Sequence, residues 1–250
     1  MVLPRIAYLS LVPNATVTSS ATTETDGPVS NLKSWQRHTF FKPTSSGPIT
    51  VSIDFGGSNS VNCFCLAGTD VTGTVELERW NGSAYVDYLS ATTNGDGSPV
   101  YAFSATPQTM TKCRVILADL SYLSVLFVGL DAELPEGVGP GWSDPVIGQM
   151  IETTQEISRD GVWLGAAAQR KNARLSLSLK NVAEAWADST WRVFMRYCQL
   201  QPFFLNWQSD NYAASDAFCY NAKFDMPKFS RNGFMDATVE FDAEAGSAAI

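Results

Sequence analysis

The sequence predicts a mainly β protein in two parts, an N-terminal antiparallel β-sandwich followed by an α+β unit with one main helix. Three observations predict it. Ile49, Val51, Ile53 and Phe55 alternate with Thr50, Ser52 and Asp54, the period of a half-buried strand. Val61 to Ala67 is a nearly continuous apolar run, as expected of a central strand covered on both faces. In the second half Leu175, Leu177 and Leu179 alternate with Ser176 and Ser178, and residues at helical spacing follow.

In chain order, Leu3, Ile6, Tyr8 and Leu9 read as a first strand in preference to a signal peptide, because Pro4 and Pro13 bracket only a few apolar residues. The Thr-, Ser- and Ala-rich stretch 14–30 reads as an extended surface loop. Leu32, Trp35, Phe40 and Phe41 are apolar anchors ahead of the strand Ile49–Phe55. Gly56-Gly57-Ser58-Asn59-Ser60 reads as a turn between that strand and Val61–Ala67. Val75 and Leu77 alternate with Thr74, Glu76 and Glu78, a strand whose carboxylates share its wet face. Asn81-Gly82, between the aromatic-bearing segments at Trp80 and Tyr85, signals a hairpin. Asn94 to Pro99 is a second turn cluster; Val100, Ala102 and Cys113 to Leu117 give short strands, and Tyr122 to Leu130 the last strand of this half. Residues 134–145, LPEGVGPGWSDP, read as a linker between a unit at 1–133 and a unit at 146–250.

In the second unit Asn181 is placed to cap a helix. Val182, Trp186, Thr190, Val193 and Tyr197 form its predicted buried stripe, widened by Ala185 and Phe194 and ended at Gln201-Pro202. PFFLNW, Phe218 to Phe224, and Phe234 to Phe241 supply three further strands, so a sheet carries the helix on one face.

Composition narrows the function. The chain of 250 residues is 45% hydrophobic and 12% aromatic, enough for packed cores. With 17 basic against 25 acidic residues, its net charge of -8 argues against a broad phosphate-binding surface. Five cysteines cannot all pair within the chain, and Cys63 and Cys65 read as small hydrophobes on a buried strand, consistent with assembly in a reducing cytoplasm. No stretch is long enough to span a membrane as an apolar helix.

Chemistry-bearing patterns are sparse. His38 is the single histidine, with no local acid or nucleophile motif, and reads as a surface or loop residue. C-x-C at Cys63 and Cys65 lacks a second ligand pair, and Asn94 to Gly97 lacks the later glutamate of a calcium loop. The expectation is therefore no enzyme, no catalytic residue, no metal and no cofactor. Trp35, Trp80 and Tyr85 lie near loops and are the candidate stacking residues for a glycan; cross-strand pairing is the competing reading.

Asn31-Leu32, the segment ITVSIDFGGSNSVNCFCLAG and the strand LSVLFVGL resemble the galactose-binding-like (discoidin-type) jelly-roll modules, over residues 1 to about 133. The second half, through RLSLSL, a helix bearing Trp186 and Trp191, PFFLNW and the ending DATVEF, resembles the tail-tube-like domains of long-tailed bacteriophage tail-tip proteins, over about 146–245. Together they resemble siphophage minor tail or distal tail proteins, with the order of the two domains reversed from the usual distal tail layout. The resemblance implies a structural virion protein of the tail tip, made in the host cytoplasm. It implies self-association in a ring, six-fold or else three-fold, joining the tail tube and tail hub to fibre or tip proteins. DNA would pass only in transit, and no membrane insertion is implied. The alternative is a carbohydrate-binding adhesin or accessory module.

Overall fold

The computed structural model describes residues 3–45, 47–95, 97–137, 142, 150–157, 163–208 and 215–245. Its thirteen strands are β1 (Arg5–Ser10), β2 (Thr16–Ser19), β3 (Ile49–Thr69), β4 (Thr72–Trp80), β5 (Tyr85–Asn94), β6 (Val100–Asp119), β7 (Leu123–Glu133), β8 (Met150–Ile157), β9 (Trp163–Ala183), β10 (Phe203–Asn206), β11 (Asp216–Phe224), β12 (Lys228–Arg231) and β13 (Phe234–Ala245). All pairing is antiparallel, in the order β5-β4-β6-β3-β7-β1-β10-β11-β13-β9-β8, with β2 beside β3 and β12 beside β13. The protein is mainly β, as its alternations predict.

The predicted turn at Gly56–Ser60 is not a turn between strands. β3 continues through it along the same partner: between the pairs Asp54↔Lys112 and Asn59↔Met110 the chain takes five steps on β3 against two on β6. The extra residues bulge outward at Gly56, whose φ is 69°. The bulge bends the β3/β6 ribbon into two arms, which also makes one strand, β6, of the separate short strands predicted there. One arm is flanked by β2 and β4, the other by β7. Val51 and Ile53 of the first arm and Phe64 and Leu66 of the second share one core with Leu32, Phe41, Val75, Leu77, Val115 and Val128. The loop expected at 14–30 contains β2, which pairs with Val51–Asp54.

The second core lies between the sheet and the helical segment. The segment comprises α1 (Glu184–Trp186), a π turn (Ala187–Trp191) and α2 (Arg192–Cys198). Its buried stripe is Ala187, Trp191, Phe194 and Cys198, one position on from the predicted stripe. Trp186 is only half-buried, Tyr197 is 44% exposed, and Val182 is buried as a strand residue of β9. The stripe is displaced by one residue from its first turn onward, because the helix begins only after Ala183, two residues beyond the expected cap. Asn181 does not cap it: its φ is 53°, and its N–H donates to Asp236 Oδ1 at 2.9 Å. Leu175, Leu177, Leu179, Ala237, Val239 and Phe241 alternate into this core as predicted.

β1 joins the two halves. Arg5–Ala7 pair with Asn206–Phe204 of β10 on one side and with Glu133–Asp131 of β7 on the other. Ile6 and Tyr8 enter the second core, while Ala7 enters a third cluster with Cys63, Cys65, Phe127, Phe204 and Phe218. Of the predicted linker, residues 138–141 and 143–145 lie outside the described residues. Leu134 is fully buried in the second core, and its N–H donates to the Pro4 carbonyl at 2.8 Å.

Candidate functional site

The three aromatic residues singled out for a glycan do not share a site. Trp80 and Tyr85 flank the β4–β5 hairpin as a directly opposed pair, with ring centroids 5.0 Å apart in an edge-to-face arrangement. Asn81 builds the connecting loop, its Oδ1 accepting from the N–H groups of Ser83 and Ala84, both at 2.9 Å, while Gly82 takes φ 104°. The Arg114 guanidinium lies 4.5 Å from the centre of the Tyr85 ring, so one face of that ring is already occupied. Arg114 in turn bonds Glu78. Glu78 keeps the face of Glu76, since β4 pairs with β6 in unbroken register from Val75 to Arg79, but it is only 8% exposed, covered by its ion pair with Arg114 directly across on β6. Trp35 instead packs half-buried between the two halves, with ring contacts to Phe127 at 5.8 Å and Phe204 at 6.4 Å.

Where the halves meet lies a buried polar network that no local sequence signal announces. Arg5 donates to Asp131 at 2.8 Å and Glu133 at 2.6 Å, and its guanidinium sits 4.4 Å from the Phe103 ring centre. Asn62 donates to Asp131 Oδ1 at 2.6 Å and accepts from the Asp131 N–H at 2.9 Å; the Tyr101 hydroxyl reaches Asp131 Oδ2 at 3.3 Å. Burial pushes the Asp131 carboxyl up, and Arg5 only partly offsets this. The Tyr101 N–H donates to Asp216 Oδ2 at 3.0 Å, and Asn206 contacts Asp216 Oδ1 at 2.6 Å. Nearby, Arg37 crosses between halves to Glu244 at 2.6 Å. Gly68 leaves room for Arg37: a Cβ there would fall 2.0 Å from the Arg37 Nη1, at φ +62°.

Elsewhere the surface offers shallow features. A groove of about 390 Å³ between the helix and β12 is lined by Trp191, Met195, Met226, Phe229 and Met235, with Glu184 and Asp188 at its rim. His38 is exposed on its loop, and all five cysteines are buried free thiols. Among the described residues no three His, Cys, Asp or Glu side chains cluster to hold a metal, and no helix is long and apolar enough to cross a membrane. Beyond the body of the sheet runs an arm. Among the described residues β13 pairs with β9 only from Ala173 onward, and residues 163–172 of β9 pair with β8 alone. At about 3.3 Å per residue this ribbon is about 30 Å long.

No family model matches the sequence, and no curated protein matches it. Among solved structures, a CBM32 module of CpGH89 from Clostridium perfringens, in complex with GalNAc-β-1,3-galactose, is 14% identical with a TM-score of 0.44, covering 49% of this chain and all of that one. The family 32 module of C. perfringens NanJ, in complex with galactose, is 12% identical with a TM-score of 0.44, covering 51% of this chain and 99% of that one. A chitosan-binding module from the chitosanase/glucanase of Paenibacillus sp. IK-5 is 20% identical with a TM-score of 0.41, covering 48% and 98%. These neighbours are carbohydrate-binding modules that span about half of this chain. At such TM-scores their ligands are not carried over to it.

Proposed function

We propose that the chain is a non-enzymatic structural subunit of a long-tailed bacteriophage tail tip, working as a ring that joins the tail tube to the host-recognition apparatus. The observation that carries this reading is the β8/β9 arm. A two-stranded ribbon is at best marginally stable alone in water, and its edges, unpaired among the described residues, invite another chain. In a closed ring each arm lies against the neighbouring copy, which satisfies those edges without open-ended polymerisation. β1 and the buried network between the halves supply the rigidity a load-bearing joint needs. In this reading 146–250 is the ring-forming unit, 1–133 the outward module, and 134–145 the connection. The acidic balance keeps DNA from sticking in passage. The ring is six-fold, with three-fold as the alternative, and its partners are tail tube, hub, and fibre or tip proteins.

The test is electron microscopy of the chain mixed with its tail partners, alongside a variant lacking residues 150–172. A ring around the tail axis that is lost with the arm is expected. Single copies on the outside of the particle, or rings that persist without the arm, would refute the reading. Carbohydrate binding is the second reading, favoured by the partly exposed Trp80 and Tyr85 at the hairpin. It requires sugar binding by a monomer on a glycan array, lost in Tyr85→Ala.

A further inference from the structure

We propose that the β8/β9 arm of one copy seats on the next copy at β12, the free edge of β8 lying along the free edge of β12 beside the groove under the helix. This contact presupposes the ring-forming role proposed above, and it is where the neighbouring copy receives the arm. β9 is one strand from Trp163 to Ala183, and its two ends carry different unfinished features. Beyond Ala173 it carries the arm; at Ala183, which pairs with Phe234, lie β12 and the groove. At about 3.3 Å per residue the stretch from Ala173 to Ala183 sets them about 33 Å apart, with the arm running away from β12. A chain therefore does not fill its own groove with its own arm. A donor at one end and a receiver at the other make a head-to-tail contact, the kind that closes into a ring when the rotation allows.

Among the described residues β8 pairs with β9 alone and β12 with β13 alone, so each presents one unpaired edge. Both register shifts in the arm put the additional residue on β9, between Arg170 and Ala168 and between Gly165 and Trp163, which leaves β8 regular from Met150 to Ile157. Its period of two sets Glu152, Thr154 and Glu156 on one face and Ile151, Thr153, Gln155 and Ile157 on the other. β12 has the complementary pair of faces. Lys228 pairs with Asp236 and Arg231 with Phe234, two apart on β13, so a bulge at Ser230 gathers both bases on one face. Among the described residues neither base has an ion pair, and the Arg231 guanidinium lies 4.1 Å from the centre of the Phe234 ring. Phe229, opposite Met235, faces the groove and is 65% exposed, with Met226 beside it 83% exposed. Acidic face meets basic face and isoleucine meets the groove when Glu156 stands opposite Lys228.

Like edges reject one another. Antiparallel self-pairing of β8 about Thr154 sets Glu152 opposite Glu156 of the second copy, and self-pairing of β12 sets Lys228 opposite Arg231. The edge strands β2 and β5 offer no basic residue to the arm.

The experiment uses the full chain. Thr154→Cys and Ser230→Cys are placed in one chain and joined by a short bismaleimide; all five native cysteines are buried. We expect chains linked between copies, with a yield that rises with protein concentration. Adding Lys228→Glu should lower the yield by up to about fivefold, as expected for a cross-strand charge pair, and Glu156→Lys in the same chain should restore it. In the wild type, the Lys228–Arg231 amides should gain hydrogen-exchange protection as concentration rises, while those of Tyr85–Asn94 in β5 should not. Linking no greater than that of Thr154→Cys with Thr92→Cys on β5, a yield indifferent to Lys228→Glu, or β12 protection independent of concentration overturns the proposal. The exchange measurement decides even where a variant fails to fold. Copies linked through residues 154 and 230 that form no ring on a tail uphold this contact and remove the tail reading; rings whose arms link to β5 overturn the contact and leave that reading standing.

Discussion

Replacing Trp191 by Ala tests which face of the helix holds the second core. Trp191 is fully buried, with ring centroids 5.3 Å from Phe194, 5.8 Å from Phe224 and 6.3 Å from Trp186. A buried Trp removes about 200 Å² from water, and at about 25 cal/mol per Å² that is about 5 kcal/mol. The methyl group that Ala retains lowers the figure, giving about 3–5 kcal/mol, the range measured for such truncations. Trp186, half-buried at the margin, should cost roughly 1 kcal/mol, an ordinary value for a partly exposed site. Urea denaturation separates them: with m unchanged, the Trp191→Ala midpoint should fall well below that of Trp186→Ala. Thermal unfolding should show about 6–20 °C against about 2–4 °C, at about 2–4 °C per kcal/mol for a chain of this size. Trp191→Phe is the control. It keeps a ring in place and drops an indole N–H that has no partner, so most of the stability should survive. Equal losses for the two alanine variants, or a larger loss at Trp186, would refute the assignment of the face.

Two further outcomes follow from β1. A fragment of residues 146–250 should not fold by itself, because it lacks Ile6 and Tyr8 in its core and leaves the edge of β10 open; a peptide of residues 3–10 added in trans should restore strand signal in circular dichroism. A fragment that folds equally well without the peptide contradicts this. Arg5→Met should cost about 3–5 kcal/mol by leaving Asp131 buried without its cation, while adding Asp131→Leu should recover much of it. The single variant should lose most at high pH, since Asp131 is already pushed up and protonation at low pH removes the unpaired charge. A double-mutant cycle showing no coupling would contradict the pairing.

Strands whose burial has a regular period were legible in the sequence. Ile49 to Ile53, Val61 to Ala67, Leu175 to Leu179 and Ala237 to Phe241 announce themselves by alternation or by unbroken apolarity, and each is where it was expected. β2 offers one apolar residue, Val17, and exists because the edge of β3 is there to pair with it. β12, KFSR, is exposed throughout, and among the described residues it pairs with β13 alone. The helix carries two adjacent stripes at similar spacing. Trp186, Val193 and Tyr197 lie on one, Trp191, Phe194 and Cys198 on the other, and spacing alone cannot choose between them. Glu78 was read as solvated because alternation gives its face and not its neighbour: Arg114, directly across on β6, covers it. Of the candidate site, the hairpin pair Trp80–Tyr85 was legible from Asn81-Gly82, whereas Trp35 belongs to a contact between distant segments.

What no local pattern encodes is the join between the two halves of the sheet. Arg5, Asn62, Tyr101, Asp131, Asn206 and Asp216 come from six strands spread over the whole chain, and each is unremarkable in its own window. Burying two carboxylates and one guanidinium there is costly compared with an apolar filling of the same volume, so the network is not explained by stability. It does fix geometry: the Tyr101 hydroxyl reaches Asp131 within the first half, while its N–H donates to Asp216 of the second, and Arg37 bonds Glu244 across the same join. An apolar contact would tolerate sliding; directional bonds between the halves do not.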